Sequence, residues 1–112
     1  MTLGRRIRTQ RMALGLSLRE VGEALSVNFT GLYEIERDNR VPSVELLCRI
    51  ARVLDLDADE LRGLAGKLST EEVDYLKANP KVVKLLGAMM KAKVGAMETE
   101  RLIEQVKGKK KR

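Results

Sequence analysis

Apolar positions along residues 3–64 recur in the three- and four-residue steps of amphipathic helices. The clearest of five such blocks is the fourth, in which Leu47, Ile50, Ala51 and Leu54 share one face. Leu, Ala, Arg, Lys and Glu are abundant and there are only two prolines, a composition that favours helices. The pattern therefore predicts an all-α domain of five short helices over residues 1–66.

Residues that begin or end helices separate these blocks. Ser, Asn and Asp accept hydrogen bonds from unpaired backbone N–H groups at a helix start, and Gly tolerates the left-handed backbone at a helix end. Two of the caps are followed three residues later by Glu, the pattern of a capping box. The predicted caps are Gly15, which ends the first helix, and Ser17 (with Glu20), Asn28, Ser43 and Asp57 (with Glu60), which begin the next four.

Residues 67–106 add three amphipathic helical segments, with Asn79 and Pro80 predicted as the N-cap and first residue of the second. They have too little mass for a core of their own, so they must pack on the first domain or on another chain. We predict that they form a dimerisation or regulatory extension, followed by a disordered basic tail at residues 107–112. The residues predicted to form the dimer interface are Leu86, Met89, Met90, Leu102, Ile103 and Val106.

The composition argues against several classes of protein. There is no histidine, the commonest general base and metal ligand, and the single cysteine, Cys48, can form neither an internal disulfide nor a zinc site. We therefore expect no enzyme activity, no metal and no cofactor. No apolar run approaches the ~18–20 residues of a membrane span, and no signal peptide opens the chain, so we expect a cytoplasmic protein without a membrane partner.

The net charge of +6 is unevenly distributed. Residues 1–66 carry ten arginines and ten acidic residues, whereas residues 67–112 carry twelve basic and six acidic residues. In the first segment, five arginines precede the first acidic residue, Glu20. This polarity fits a domain that presents one face to phosphates, although a solvated, charged helix face would give the same pattern.

Several short motifs occur together and in register between residues 15 and 61. They are G-L-S at 15–17, I-E-R at 35–37, P-S at 42–43, L-x-x-I-A-x-x-L at 47–54 and D-x-x-E-L at 57–61. In these features the sequence resembles the Cro and lambda-repressor-like helix-turn-helix family, also called the xenobiotic-response-element type, over about residues 3–64. One departure is Leu18, which stands where relatives often have a Gln that supports the recognition helix and contacts phosphate.

The resemblance implies roles for individual residues. The helix that begins after Asn28 would lie in the major groove with its N-terminal residues at base edges. The implied base contacts are Phe29, Thr30, Tyr33 and Glu34, with a partly packed surface aromatic as the alternative for Tyr33. The implied phosphate contacts are Ser17, Asn28, Arg37, Asn39 and Arg40. Arg11 and Glu36 match positions that form a structural salt bridge in relatives.

The resemblance also implies a function. A single helix-turn-helix motif contacts too few base pairs for useful specificity. We therefore expect a homodimer that binds a near-palindromic, double-stranded DNA operator. We expect this dimer to act as a transcriptional repressor. A regulatory protein, either a protease that cuts the extension or a toxin, is the expected further partner. The alternative is a protein-interaction module, either an antitoxin that neutralises a partner or an adaptor that recruits one.

Overall fold

The computed structural model describes residues 1–109, which form α-helices and no strands. The last three residues of the predicted tail, 110–112, lie outside the described residues. The prediction of an all-α protein is confirmed. The helices are α1 (Leu3–Ala13), α2 (Leu18–Leu25), α3 (Phe29–Glu36), α4 (Val44–Leu54), α5 (Ala58–Ala65), α6 (Thr70–Ala78), α7 (Lys81–Ala92) and α8 (Ala96–Lys109).

The helices belong to two compact units, the first being Met1–Ser69 and the second beginning at Thr70. In the first unit, α4 packs against α1, α2 and α5, while α3 packs against α1 and α2. The core is aliphatic, and each fully buried side chain contributes about 1.5–3 kcal/mol. Its most deeply buried members are Ile7, Leu25, Leu32, Leu47, Ile50, Leu54 and Leu61.

The four N-caps predicted in the first unit are confirmed, Gly15 follows the end of α1 with the predicted left-handed backbone (φ 70°), and one predicted capping box is wrong. At α2, the Glu20 N–H donates to Ser17 Oγ over 3.1 Å and the Ser17 N–H donates to Glu20 Oε1 over 3.0 Å. At α5, Asp57 caps the helix by accepting from the Asp59 N–H over 2.8 Å. The Glu60 carboxylate instead accepts from Arg6 Nε over 3.1 Å, so it does not complete a second box. Glu60 thus forms an ion pair with the distant helix α1.

Two glycines bring backbones close together around α3. A Cβ atom on Gly4 of α1 would lie 2.5 Å from the Glu36 carbonyl oxygen and 2.6 Å from that of Ile35. A Cβ atom on Gly22 of α2 would lie 2.9 Å from the Val27 carbonyl oxygen, at the turn that leads into α3. Small residues at these two positions therefore set how closely α1 and α2 hold α3.

The second unit consists of α6, α7 and α8, and none of these helices has a buried residue. Pro80 is the N-cap of α7, so the prediction that Asn79 caps this helix is wrong. The Asn79 side chain instead donates to the Tyr75 carbonyl oxygen over 3.0 Å, at the end of α6.

The apolar residues of α7 and α8 that the sequence predicts at a dimer interface are mostly exposed. Met90 is 71% exposed and Val106 is 69% exposed, while Met89 is half-buried. Helix α8 continues to Lys109, whereas the sequence predicts disorder from residue 107. Lysine is a good helix former, and Lys107 pairs with Glu104 one turn earlier at 3.8 Å, which supports this continuation. No helix among residues 1–109 is long and apolar enough to cross a bilayer.

Candidate nucleic-acid interface

The outward face of α3 is the candidate interface. Ser26 adopts a left-handed backbone (φ 56°) at the end of α2, and Asn28 then caps α3 by accepting from the Thr30 N–H over 2.9 Å. Leu32 and Ile35 point into the core. The outward face carries the four residues for which base contacts are predicted: Phe29 and Tyr33, each 43% exposed, Thr30, which is exposed, and Glu34, which is half-buried.

An ion pair between α1 and α3 orients this helix. Arg11 Nε and Nη2 donate to the two carboxylate oxygens of Glu36 over 2.7 and 3.0 Å, and Nη1 donates to the Leu16 carbonyl oxygen over 2.8 Å. The side chains are only 13% and 6% exposed. The hydrogen bonds with Glu36 hold the pKa of Arg11 above its usual value. The structure thus places Arg11 and Glu36 in the salt bridge that the resemblance implied, with Arg11 facing inward.

A second polar contact fixes the end of α3 to the beginning of α1. Asp38 follows α3 with a left-handed backbone (φ 62°), and its two carboxylate oxygens accept from the Thr2 hydroxyl over 2.7 Å and the Gly4 N–H over 2.9 Å. The hydrogen bond from Thr2, and then that from Gly4, lower the pKa of the Asp38 carboxyl group. The ionised carboxylate therefore holds the two helix ends together.

Replacing Asp38 with Asn tests this contact, because Asn also tolerates the left-handed backbone but carries no charge. A carboxyl group whose pKa is lowered by folding stabilises the protein above its unfolded-state pKa of about 4, and this contribution is lost as the pH falls through the lower, folded-state pKa. We expect thermal denaturation to give Asp38→Asn a melting temperature a few degrees below wild type at pH 7. The difference should shrink as the pH falls below about 4, and a difference that is unchanged with pH would contradict the role of the charge.

Two arginines, one from α2 and one directly after α3, lie against the aromatic rings of the outward face of α3. The Arg19 guanidinium of α2 lies 5.1 Å above the Phe29 ring. The Arg37 guanidinium lies 5.3 Å above the Tyr33 ring, and its Nη1 donates to the Tyr33 hydroxyl over 3.0 Å. Arginine guanidinium groups in such positions attract phosphates and also stack on aromatic faces.

Arg19 is a candidate that the sequence does not reveal. It belongs to α2, and only the angle between α2 and α3 brings it against Phe29. The available signal was its place in the first turn of α2, two residues after the N-cap Ser17. Because α3 itself has no Arg, Lys or Gln before Arg37, the neighbouring elements supply the positive charge.

An open groove of about 530 Å³ runs beside α3 and is lined in part by Thr30, Gly31, Glu34 and Arg40. Arg40 Nη1 lies 3.4 Å from where a Cβ atom of Gly31 would be, an ordinary van der Waals distance, so the guanidinium lies against this glycine. Asn39 Nδ2 donates to Glu34 Oε2 over 3.1 Å, which orients the carboxylate. The groove thus combines an acceptor, a hydroxyl and a guanidinium, groups that proteins use to contact base edges and phosphates.

The residues predicted to contact phosphate are all exposed, and they lie at two places. Ser17 and Asn28 lie at the N-termini of α2 and α3, where the helix dipole and the N–H groups attract anions. Arg37, Asn39 and Arg40 follow the end of α3. Ser17 and Asn28 already accept backbone hydrogen bonds as caps, so they would contact phosphate through their remaining donors. Leu18, the residue after Ser17, packs partly on the core.

Comparisons with known proteins agree with this geometry. The family described as "Helix-turn-helix domain" matches residues 2–64. The chain is 43% identical to the uncharacterised HTH-type transcriptional regulator YazB of Bacillus subtilis over 58 residues, 52% of this chain and 84% of that protein. It is 29% identical to the HTH-type transcriptional regulator ImmR of the same organism over 76 residues, 68% of this chain and 60% of that protein. These relatives are regulators rather than enzymes.

Two solved structures are also similar. One is the biofilm regulator SinR in complex with DNA, with a TM-score of 0.51 and 34% identity, covering 54% of this chain and 97% of that chain. The other is a chain of the SinR protein/SinI protein complex, with a TM-score of 0.53 and 26% identity, covering 99% of this chain and 100% of that chain.

Proposed function

Because the chain belongs to the Cro and lambda-repressor-like helix-turn-helix family of DNA-binding transcriptional regulators, we propose that it represses transcription by binding a near-palindromic operator as a homodimer. The observation that carries the DNA-binding part is the exposed face of α3, which is edged by Arg19, Arg37 and Arg40. A protein dimer seated across promoter DNA hinders polymerase sterically, so repression needs no further activity.

In this proposal α3 lies in the major groove and its outward residues contact bases. The Thr30 methyl group and the Phe29 ring pack on thymine methyl groups, and the Glu34 carboxylate accepts from a cytosine amino group. Tyr33 completes this surface one turn further along. A well-formed base contact of this kind is worth roughly 1–3 kcal/mol of discrimination. The oriented Glu34–Asn39 hydrogen bond supports this role, because a fixed carboxylate loses less conformational freedom on binding.

Phosphate contacts fix the position of α3 in the groove. We assign them to the N-termini capped by Ser17 and Asn28, and to Arg37, Asn39 and Arg40 after α3. These contacts carry no sequence information directly, but each phosphate neutralised makes binding more sensitive to salt.

Substitutions on the two kinds of residue test these roles. Thr30→Ala and Glu34→Ala should change which bases are preferred at one or two operator positions, with a loss of about 1–3 kcal/mol at the preferred sequence. Arg40→Ala should weaken binding to all sequences about equally and reduce the salt slope by about one. Binding of each variant to a panel of single-base operator variants at several salt concentrations distinguishes the two effects. An altered base preference for Arg40→Ala with an unaltered one for Glu34→Ala would contradict the assignment.

The dimer interface in this proposal is formed by α7 and α8. Their apolar side chains are exposed in the single chain, and a contiguous exposed apolar surface commonly marks a protein interface. The residues assigned to it are Leu86, Met89, Met90, Leu102, Ile103 and Val106.

The same surface supports a second candidate function, binding of a regulatory protein. The similar chain that spans nearly all of this sequence belongs to the SinR protein/SinI protein complex. We propose that a partner with its own amphipathic helices competes for α7 and α8 and so weakens operator binding. The antitoxin and adaptor functions are forms of this activity. Titration of the partner into the protein–operator complex would release DNA if the two compete.

A further inference from the structure

A second concave surface in the first unit includes two arginines, Arg5 and Arg8, that have no role in the contacts assigned so far. It has a volume of about 410 Å³ and lies between the beginning of α1 and the end of α3. We call it the α1–α3 concavity. Its lining residues are Thr2, Arg5, Arg8, Glu36, Arg37, Asp38 and Asn39.

The α1–α3 concavity is positively charged because its acidic residues are already engaged. Both oxygens of Glu36 accept from Arg11, and both oxygens of Asp38 accept from α1 or its cap. Arg5 and Arg8 are exposed and form no ion pair with any residue that the structure describes. Arg11 neutralises Glu36, so the three arginines that line the concavity and the single charge of Asp38 leave a net charge of +2.

The concavity is continuous with the outward face of α3. Arg37 lines it, yet the same guanidinium donates to the Tyr33 hydroxyl on that face. Asn39 also belongs to both surfaces, since it lines the concavity and donates to Glu34. DNA that lies along α3 is therefore adjacent to Arg5 and Arg8. These two residues are neighbours on one face of α1, because residues three apart in a helix lie side by side.

We propose that the α1–α3 concavity binds the phosphate backbone of DNA that flanks the half-site contacted by α3, with Arg5 and Arg8 each neutralising one phosphate. The proposal rests on the proposed function, because α3 must first seat the domain on DNA. It assigns to α1 a part of the footprint that carries no base specificity. The bound length of DNA is then greater than the sequence that the protein distinguishes.

The test uses the full chain and two duplexes that contain the same operator selected from random DNA. One duplex ends at the outer edges of the half-sites, and the other extends several base pairs beyond them with arbitrary sequence. Affinity is measured against salt concentration for wild type, Arg5→Ala, Arg8→Ala and Arg52→Ala. Arg52 is the matched control, since it is an exposed arginine on α4 outside the concavity. Circular dichroism and thermal denaturation check that each variant folds.

We expect wild type and Arg52→Ala to bind the extended duplex more tightly and with a steeper salt slope than the short one. Arg5→Ala and Arg8→Ala should each reduce the slope on the extended duplex by about 0.9, the value for one phosphate, and leave the slope on the short duplex unchanged.

The proposal would be overturned if Arg5→Ala and Arg8→Ala had the same salt slope as wild type on the extended duplex. It would also be overturned if both variants reduced the salt slope equally on the two duplexes. Failure of the proposed function would give a different result, because selection from random DNA would then yield no sequence that wild type prefers. In that case the slopes of the same variants on an arbitrary long duplex decide whether the concavity binds phosphates.

Discussion

Ending the chain at Ser69 is expected to leave a folded monomer whose affinity for the full operator is about 10²–10⁴-fold lower, because two linked half-site contacts become independent. The first unit should fold alone, since the buried apolar residues among residues 1–109 all lie between Leu3 and Leu61. Analytical ultracentrifugation of the 1–69 fragment and of the full chain measures the dimer, and fluorescence anisotropy with labelled operator measures the affinity.

A single half-site is the internal control for this truncation. The 1–69 fragment and the full chain should bind the half-site with similar affinity, since a single α3 contacts this DNA. Dimerisation of the 1–69 fragment as strong as that of the full chain would contradict the assignment of the interface to α7 and α8. If the fragment bound neither the half-site nor the full operator, it would be misfolded rather than monomeric.

Gly4→Ala is expected to lower the free energy of unfolding by roughly 3 kcal/mol, near the upper end of overpacking effects. The added methyl group would meet the carbonyl oxygens of Ile35 and Glu36, which are backbone atoms in α3 and cannot rotate away. Accommodating it requires α1 and α3 to separate, which strains the Arg11–Glu36 ion pair and the Asp38 contacts. Urea denaturation of wild type and variant measures the difference.

Gly63→Ala is the matched control for this substitution. Gly63 lies within α5, and a Cβ atom there would have no heavy atom within 4 Å. The same chemical change should therefore stabilise the protein by up to about 1 kcal/mol through helix propensity alone. Equal effects at the two positions would show that the close approach of α1 to α3 is not under steric control.

The features that the sequence predicted correctly are mainly local. Ser17, Asn28 and Ser43 cap helices because their side chains bond to backbone groups two or three residues away, which requires no tertiary structure. The Arg11–Glu36 pair is not local, and it was predictable only through the family resemblance.

The features that the sequence did not predict depend on contacts between distant residues. Asp38 accepts from Thr2 and Gly4, and Arg19 stacks on Phe29, because of how the helices pack. The wrong capping box has a contact of the same kind, since the Glu60 carboxylate accepts from Arg6 of α1. The sequence predicted the amphipathic pattern of α7 and α8, but a pattern alone does not identify what covers the apolar face.

Selection of bound sequences from a random DNA pool tests sequence-specific binding by a dimer most directly. We expect the full chain to enrich a near-palindromic sequence whose half-sites are about one helical turn, ~34 Å, apart. Glu34→Ala should enrich a sequence with the same spacing but a different preference at one position of each half-site. A pool with no enriched sequence, or with a single half-site and no preferred spacing, would contradict the proposal that α3 determines specificity within a homodimer.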